Sequence, residues 1–199
     1  MENFKKIEQV IKNHGVIAFP TETVMGLGVA FDDEMAYNKL NYVKNRPEDK
    51  PYTMMLYDKN DIQKYAYIDY KSQKIIAAFM PGPITLLLPA KEGLPFWVTH
   101  GGNIIGLRVP DFDVALNVCK AAKKPLLVPS ANKSGEKPAM TYQEVKAIFN
   151  DEIDYLVESD ALGGLPSTIV DLTGDNYKII RKGPISEEMI DQILGANKK

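Results

Sequence analysis

The chain has 199 residues, 45% hydrophobic and 25% charged, which excludes general disorder and suits one large domain. Its one cysteine, Cys119, excludes a disulfide scaffold, and a net charge of −2 advertises no global attraction for nucleic acid. Apolar runs such as Ile84 to Ala90 fall far short of the ~20 residues of a membrane span, and the charged opening Met1-Glu2-Asn3-Phe4-Lys5-Lys6 lacks a signal-peptide core, so a soluble, cytoplasmic protein is expected.

Phe4, Ile7, Val10 and Ile11 recur at helical spacing before Gly15 and predict a helix over residues 2–13. Val16 to Phe19 reads as a short apolar strand ending at Pro20, and Leu27 to Phe31 as a second. Asp32 and Asp33 then cap a helix carrying Met35, Leu40 and Val43, which should end at Asn45 because Pro47 disfavours helix in the residue before it. Tyr52 to Tyr57 is a third strand. Helices follow near 59–66 and 70–79, the second broken by Pro81-Gly82-Pro83. Further strands are expected at 84–89, 104–109, 126–128, 155–157, 168–172 and 178–181, with helices near 112–123, 141–149 and 186–194. Only the turn Gly174-Asp175-Asn176 and its neighbours separate the last two strands, which is a hairpin signal. Interleaved helices with a hairpin predict an α/β fold with a mixed parallel and antiparallel sheet. No repeat or linker interrupts the chain, so a single domain over 1–199 is expected.

Of the basic residues, 21 are Lys and only Arg46, Arg108 and Arg181 are Arg. A guanidinium offers a rigid bidentate fork to carboxylate or phosphate, whereas Lys offers a point charge. Arginines so sparingly used mark candidate ligand positions, the plainer alternative being surface ion pairs. Lys44-Asn45-Arg46-Pro47-Glu48-Asp49-Lys50-Pro51 sets three cations at a helix C-terminus, where they either complement the helix dipole or clamp phosphate. Pro20-Thr21-Glu22-Thr23, followed by Gly26-Leu27-Gly28, places two hydroxyls and a carboxylate at a strand end, suited to a small polar ligand or to local turn bonding. Ser130 and Asn132 follow the strand Leu126 to Val128, at the edge where open α/β sheets place ligands. Ser167 opens one strand; Arg108 and Arg181 end two others. There is no Walker-type loop, and two distant histidines with one cysteine form neither a Ser-His triad nor a metal cluster. Jointly, these segments favour a cleft for an anionic ligand.

The segments Val16 to Gly28, Lys44-x-Arg46-Pro47-x-x-Lys50, Pro81-Gly82-Pro83-x-Thr85, Arg108-Val109-Pro110, Ser130-Ala131-Asn132-x-Ser134-Gly135 and Ser167-Thr168-x-Val170-Asp171 resemble, in order, the YrdC-like threonylcarbamoyl-AMP synthases, in their single-domain form. The resemblance runs from about residue 10 to 187. It implies a YrdC-like fold, a twisted mixed sheet with a concave, positively charged cleft. It also implies a nucleotidyltransferase reaction in which L-threonine, bicarbonate and ATP give threonylcarbamoyl-adenylate and pyrophosphate, with Mg2+ carried by the ATP phosphates. A downstream transferase complex would pass the threonylcarbamoyl group to tRNA.

Carried over by position, Thr23, Arg108, Ser130 and Ser167 would contact threonine, Arg108 taking its carboxylate. Lys44, Arg46, Lys50, Asn132 and Arg181 would hold the ATP, with catalysis by positioning through Lys44, Arg46 and Lys50 rather than by a covalent intermediate. Met25 stands where an aromatic is usual, Met55 where many members have histidine, and Phe112-Asp113 replaces the more usual His-Pro. These departures fall on the amino-acid pocket. The segment 133–141 is expected to close over the cleft. The alternative is a tRNA- or double-stranded-RNA-binding module of the same fold without this activity. Weak RNA binding by the cleft is also compatible with the synthase.

Overall fold

Alternating apolar strands and amphipathic helices build one sheet in the computed structural model, which describes residues 4–46 and 51–195. Helix α1 (Phe4–Lys12) leads into β1 (Ile17–Phe19) and β2 (Gly26–Ala30), and α2 (Glu34–Lys44) follows. Next come β3 (Met54–Met55), a 3-10 turn (Lys59–Lys64), α3 (Tyr70–Phe79), β4 (Ile84–Pro89), α4 (Phe96–Thr99) and β5 (Ile104–Arg108). The rest is α5 (Asp113–Ala122), β6 (Leu126–Leu127), α6 (Tyr142–Phe149), β7 (Tyr155–Leu156), β8 (Thr168–Asp171), β9 (Lys178–Arg181) and α7 (Glu187–Leu194).

Among the described residues nine strands pair in the order β7-β1-β2-β6-β3-β5-β4-β8-β9. Pairs β1–β7, β3–β5 and β4–β8 are parallel, and the others antiparallel, including the β8–β9 hairpin. Helices cover both faces, which explains why the strands read as continuous apolar runs. Along β1 and its flank, Val16 and Ala18 enter one core while Ile17 and Phe19 enter the other. The second core is closed by Ile7, Val10 and Ile11 of α1 and by Ala115, Val118 and Cys119 of α5. Each large aliphatic side chain buried there contributes about 2 kcal/mol, which docks α1 despite its nine-residue length.

The helix ends follow their sequence signals, with one change. Asp33 caps α2 by accepting from the Ala36 amide at 3.1 Å. The helix stops because Asn45 turns into the left-handed region at φ 50°, returning its amide to Asn41 and Tyr42 carbonyls. Pro47, expected to end it, lies outside the described residues. The 3-10 turn at 59–64 replaces the expected helix at 59–66. Strand β3 is shorter than the expected 52–57, although Leu56 still donates to the Arg108 carbonyl at 2.9 Å and Thr53 accepts from Val128 at 2.8 Å. Helix α4, four residues long, is too short to show periodicity. It is locked by Trp97, which stacks on Tyr37 and donates Nε1–H to the Phe31 carbonyl. No helix among the described residues is long and apolar enough to cross a membrane.

Candidate functional site

Sheet order brings together residues that the chain holds far apart. The ends of β1, β5 and β8, with the segments after α2 and β6, enclose a cavity of about 210 Å³ lined by Thr23, Arg46, Arg108, Ser130, Ser167 and Arg181. All three arginines of the chain therefore face one cavity. Larger depressions elsewhere lack such convergence. The groove of about 730 Å³ between α3, β9 and α7 mixes Lys71, Lys74 and Lys182 with Asp175, Glu187 and Asp191.

Each cavity residue is held by a local device. In the β1–β2 loop, the buried Thr21 hydroxyl donates to the Val24 carbonyl at 2.8 Å and accepts from the Thr23 and Val24 amides. With that proton committed, Thr23 Oγ1, 2.8 Å away, donates to Thr21 and is left to accept from Arg108 Nη2 at 3.0 Å. Glu22 Oε1 also lies 2.8 Å from Arg108 Nη2, forming an ion pair. Across the cavity, Arg181 donates Nε–H and Nη2–H to the Ser167 carbonyl at 3.0 and 2.9 Å, and Nη2 also reaches Ser167 Oγ at 3.0 Å. Thr85 Oγ1 lies 2.9 Å from the same hydroxyl. Burial, then the nearby Arg108, draw the Arg181 pKa down from its ordinary value. Gly183 is required beneath this arrangement, because a Cβ there would stand 2.4 Å from the Thr168 amide nitrogen and 2.5 Å from the Pro166 carbonyl. Arg46 stacks 4.7 Å over the Tyr52 ring, whose hydroxyl donates to Asn41 Oδ1 at 2.5 Å.

Lys44 and Asn132 stand one bond behind the cavity wall. Lys44 is 1% exposed and donates Nζ protons to the carbonyls of Ser130 and Asn132 at 2.6 and 2.7 Å. Burial first, then Arg46 and Lys133, lower its pKa to about 7. Asn132 accepts from the Ser130 hydroxyl at 2.6 Å and spends its amide protons on the carbonyls of Lys133 and Glu136. Ser130 Oγ, its proton thus committed, presents acceptor lone pairs. Lys50, the remaining expected nucleotide residue, lies outside the described residues.

The segment 133–141, expected to close over the cleft, is bonded to its neighbours in this structure. Ser134 donates to the Lys44 carbonyl, Lys133 Nζ to that of Val43, and Ala139 to that of Ala131, with Ala139 itself buried. Those bonds tie it to the end of α2 and to Ala131, and none of residues 133–141 lines the cavity. Met55 lines the cavity, Met25 is fully buried in the core, and Phe112 immediately precedes α5 without a side-chain bond to its first turn. Thr85, Tyr52, Thr53 and Pro166 also line the cavity, although none of them stands among the expected ligand residues. Tyr52 carries a faint signal, an aromatic beside a cationic loop. Thr85 is visible only within the Pro-Gly-Pro-x-Thr segment.

The described residues offer little chemistry of other kinds. Cys119 is buried, and its thiol pKa is pushed up to about 12. His14 pairs with Asp33 at 2.7 Å and His100 with the Tyr37 hydroxyl at 3.2 Å, neither lining the cavity. Among the described residues no three His, Cys, Asp or Glu gather to hold a metal.

Together the fold and cavity define a mixed-sheet α/β protein whose three arginines converge with serine and threonine hydroxyls, a constellation suited to small anionic ligands. The chain belongs to the Sua5/yciO/yrdC family, described as telomere recombination, which it matches over residues 9–183. It is 37% identical over 183 residues to a threonylcarbamoyl-AMP synthase of Photorhabdus laumondii, covering 88% of this chain and 95% of that one. A threonylcarbamoyl-AMP synthase of Pyrococcus abyssi is 31% identical over 187 residues, but there the match spans 93% of this chain and only 55% of the longer relative. Among solved structures, P. abyssi Sua5 complexed with L-threonine superposes with a TM-score of 0.92 at 30% identity, over 98% of this chain and 58% of that one. Escherichia coli YciO shares the fold at a TM-score of 0.86 and 24% identity, covering 96% and 95%.

Proposed function

We propose that this chain is an L-threonylcarbamoyladenylate synthase, a nucleotidyltransferase supplying an activated threonylcarbamoyl group for tRNA modification by a downstream transferase. The observation that carries the reading is the convergence of Arg46, Arg108 and Arg181 with Thr23, Ser130 and Ser167 on one cavity. The resemblance to a threonine-complexed Sua5 supports the choice of amino acid.

The cavity, at about 210 Å³, is smaller than the roughly 300–1,000 Å³ of clefts that enclose larger ligands. It suits an amino acid, with the nucleotide extending into its mouth along Arg46 and Arg181. Arg108 takes the threonine carboxylate, while Thr23, Ser130 and Ser167 orient the rest. The threonine amine adds to the bicarbonate carbon and water is lost, giving a carbamate. A carbamate oxygen then attacks the α-phosphorus, the bond to the bridging α–β oxygen breaks, and pyrophosphate leaves with the electron pair. Magnesium enters as MgATP, keeping several waters and asking few protein ligands. Fixing the partners together accounts for about 7–11 kcal/mol of a barrier, and each donor aimed at developing charge for about 3 kcal/mol.

The test is pyrophosphate release from MgATP, bicarbonate and L-threonine, with each component omitted in turn. Release should need all three. ATP turnover indifferent to threonine or bicarbonate would remove this function.

A further inference from the structure

Glu22 is a carboxylate enclosed beside the cavity but absent from its lining. Its side chain is 11% exposed and that of Arg108 8%, with Oε1 2.8 Å from Nη2. The contact is one of charge without direction. No N–H of the guanidinium aims at the carboxylate, and Nη2 instead hydrogen-bonds Thr23 Oγ1 at 3.0 Å. Both Glu22 oxygens and Arg108 Nε are buried with no hydrogen-bond partner. They make up three of the five such side-chain atoms among the described residues, so the unmet bonding there is concentrated at this pair.

The loop over Glu22 keeps it there. Leu162 donates to the Thr21 carbonyl at 3.3 Å, and Gly163 packs so tightly that a Cβ would lie 2.6 Å from the Glu22 carbonyl oxygen. With its oxygens sealed from the cavity, Glu22 does not reach a ligand and acts through Arg108.

We propose that Glu22 is a resident competitor for Arg108, a positioning residue that balances the guanidinium before substrate arrives and thereby sets the affinity and selectivity for the incoming amino-acid carboxylate. The proposal rests on the amino-acid reading of the cavity. Two carboxylates share one guanidinium in the bound state and repel one another, so the bound anion gains only what Glu22 has not already satisfied. A ligand offering a carboxylate alone gains little. Threonine gains more, because Thr23, Ser130 and Ser167 add contacts that a bare anion lacks. Replacing the charge while keeping the shape should therefore tighten amino-acid binding and relax its selectivity, whereas loss of a merely structural residue weakens it.

The experiment is calorimetric titration of the whole chain and its Glu22→Gln variant with L-threonine, acetate and MgATP. Expected for the variant are a threonine Kd at least 5-fold lower, within the usual 5–150-fold range of coupling between sites, and an acetate Kd lowered at least as much. The MgATP Kd should stay within 2-fold, and in turnover the threonine KM should fall without a rise in kcat. The free variant should melt earlier than wild type and gain more from threonine. Unchanged or weaker threonine binding by the variant overturns the proposal. Should Glu22→Gln fail to fold, Glu22→Asp, which draws the charge back by one methylene, should give a smaller tightening, and no tightening overturns the proposal equally. Failure of wild type to bind L-threonine would overturn the amino-acid reading, and this inference with it. That failure shows on wild type alone, whereas failure of the Glu22 role shows only in the difference between wild type and variant.

Discussion

Replacing Lys44 by Met should flatten the pH dependence of stability. The Lys44 side chain is sealed from solvent, so its ammonium form is costly there even though it donates to two carbonyls. Its pKa falls from 10.5 to about 7 on folding, mainly through burial and secondarily through Arg46 and Lys133. Between those values the unfolded chain holds the proton and the native chain does not, so stability rises with pH across the interval. At about 1.36 kcal/mol per pH unit, the complete shift corresponds to about 5 kcal/mol, and the part between pH 7, where the native amine is half titrated, and pH 9 to about 2 kcal/mol. A neutral amine has two N–H donors, which match the two carbonyls, so deprotonation leaves neither without a partner. Lys44→Met keeps the volume, removes the titration and orphans both carbonyls, at about 1–3 kcal/mol each. Urea unfolding of both proteins at pH 7, 8 and 9 provides the assay. Groups other than Lys44 cancel between them, and wild type should pull ahead by about 1 kcal/mol or more per pH unit. Parallel profiles would refute the reasoning.

Three further substitutions probe the cavity. Arg108→Lys keeps a charge but loses the fork that meets Thr23, so the threonine KM should rise at least 10-fold while the ATP KM changes less than 3-fold in pyrophosphate-release assays. Arg181→Ala removes three bonds to Ser167 and should lower kcat/KM about 100-fold, near 3 kcal/mol, which initial rates at varied ATP will measure. Gly183→Ala sets a Cβ against the backbone of Pro166, Ser167 and Thr168. It should cost about 1–3 kcal/mol, lower the thermal midpoint by several degrees, and reduce turnover through the displaced Ser167; an unchanged midpoint argues against the packing.

Elements carrying a local signature were legible in the sequence. Helix α1 showed its periodicity, α2 its Asp33 cap, and the β8–β9 hairpin its turn. The scarcity of arginine singled out Arg46, Arg108 and Arg181, which the sheet brings to one cavity. What stayed hidden depends on tertiary neighbours. Strand β3 is trimmed between an antiparallel and a parallel partner, and β7, expected as a strand, carries no local mark of its parallel pairing with β1. Lys44 read as a cation that complements a helix dipole or clamps phosphate. Only the approach of the loop 130–136 to the end of α2 turns it inward, and spacing does not encode that approach. Glu22 was visible as a carboxylate between two threonines, but its pairing needs β5 beside the β1–β2 loop.

The cavity's wall is contributed by segments running from Thr23 to Arg181, so nearly the whole chain must emerge from the ribosome before the pocket exists. Strand β9, which delivers Arg181, has β8 as its one partner among the described residues, and β8 in turn aligns along β4 in parallel. The β4–β8 pairing closes a large loop and forms slowly compared with helical contacts. A nascent chain halted before β9 would expose the β8 edge and lack Arg181, so in this architecture ligand affinity is itself a report of synthesis and folding through β9.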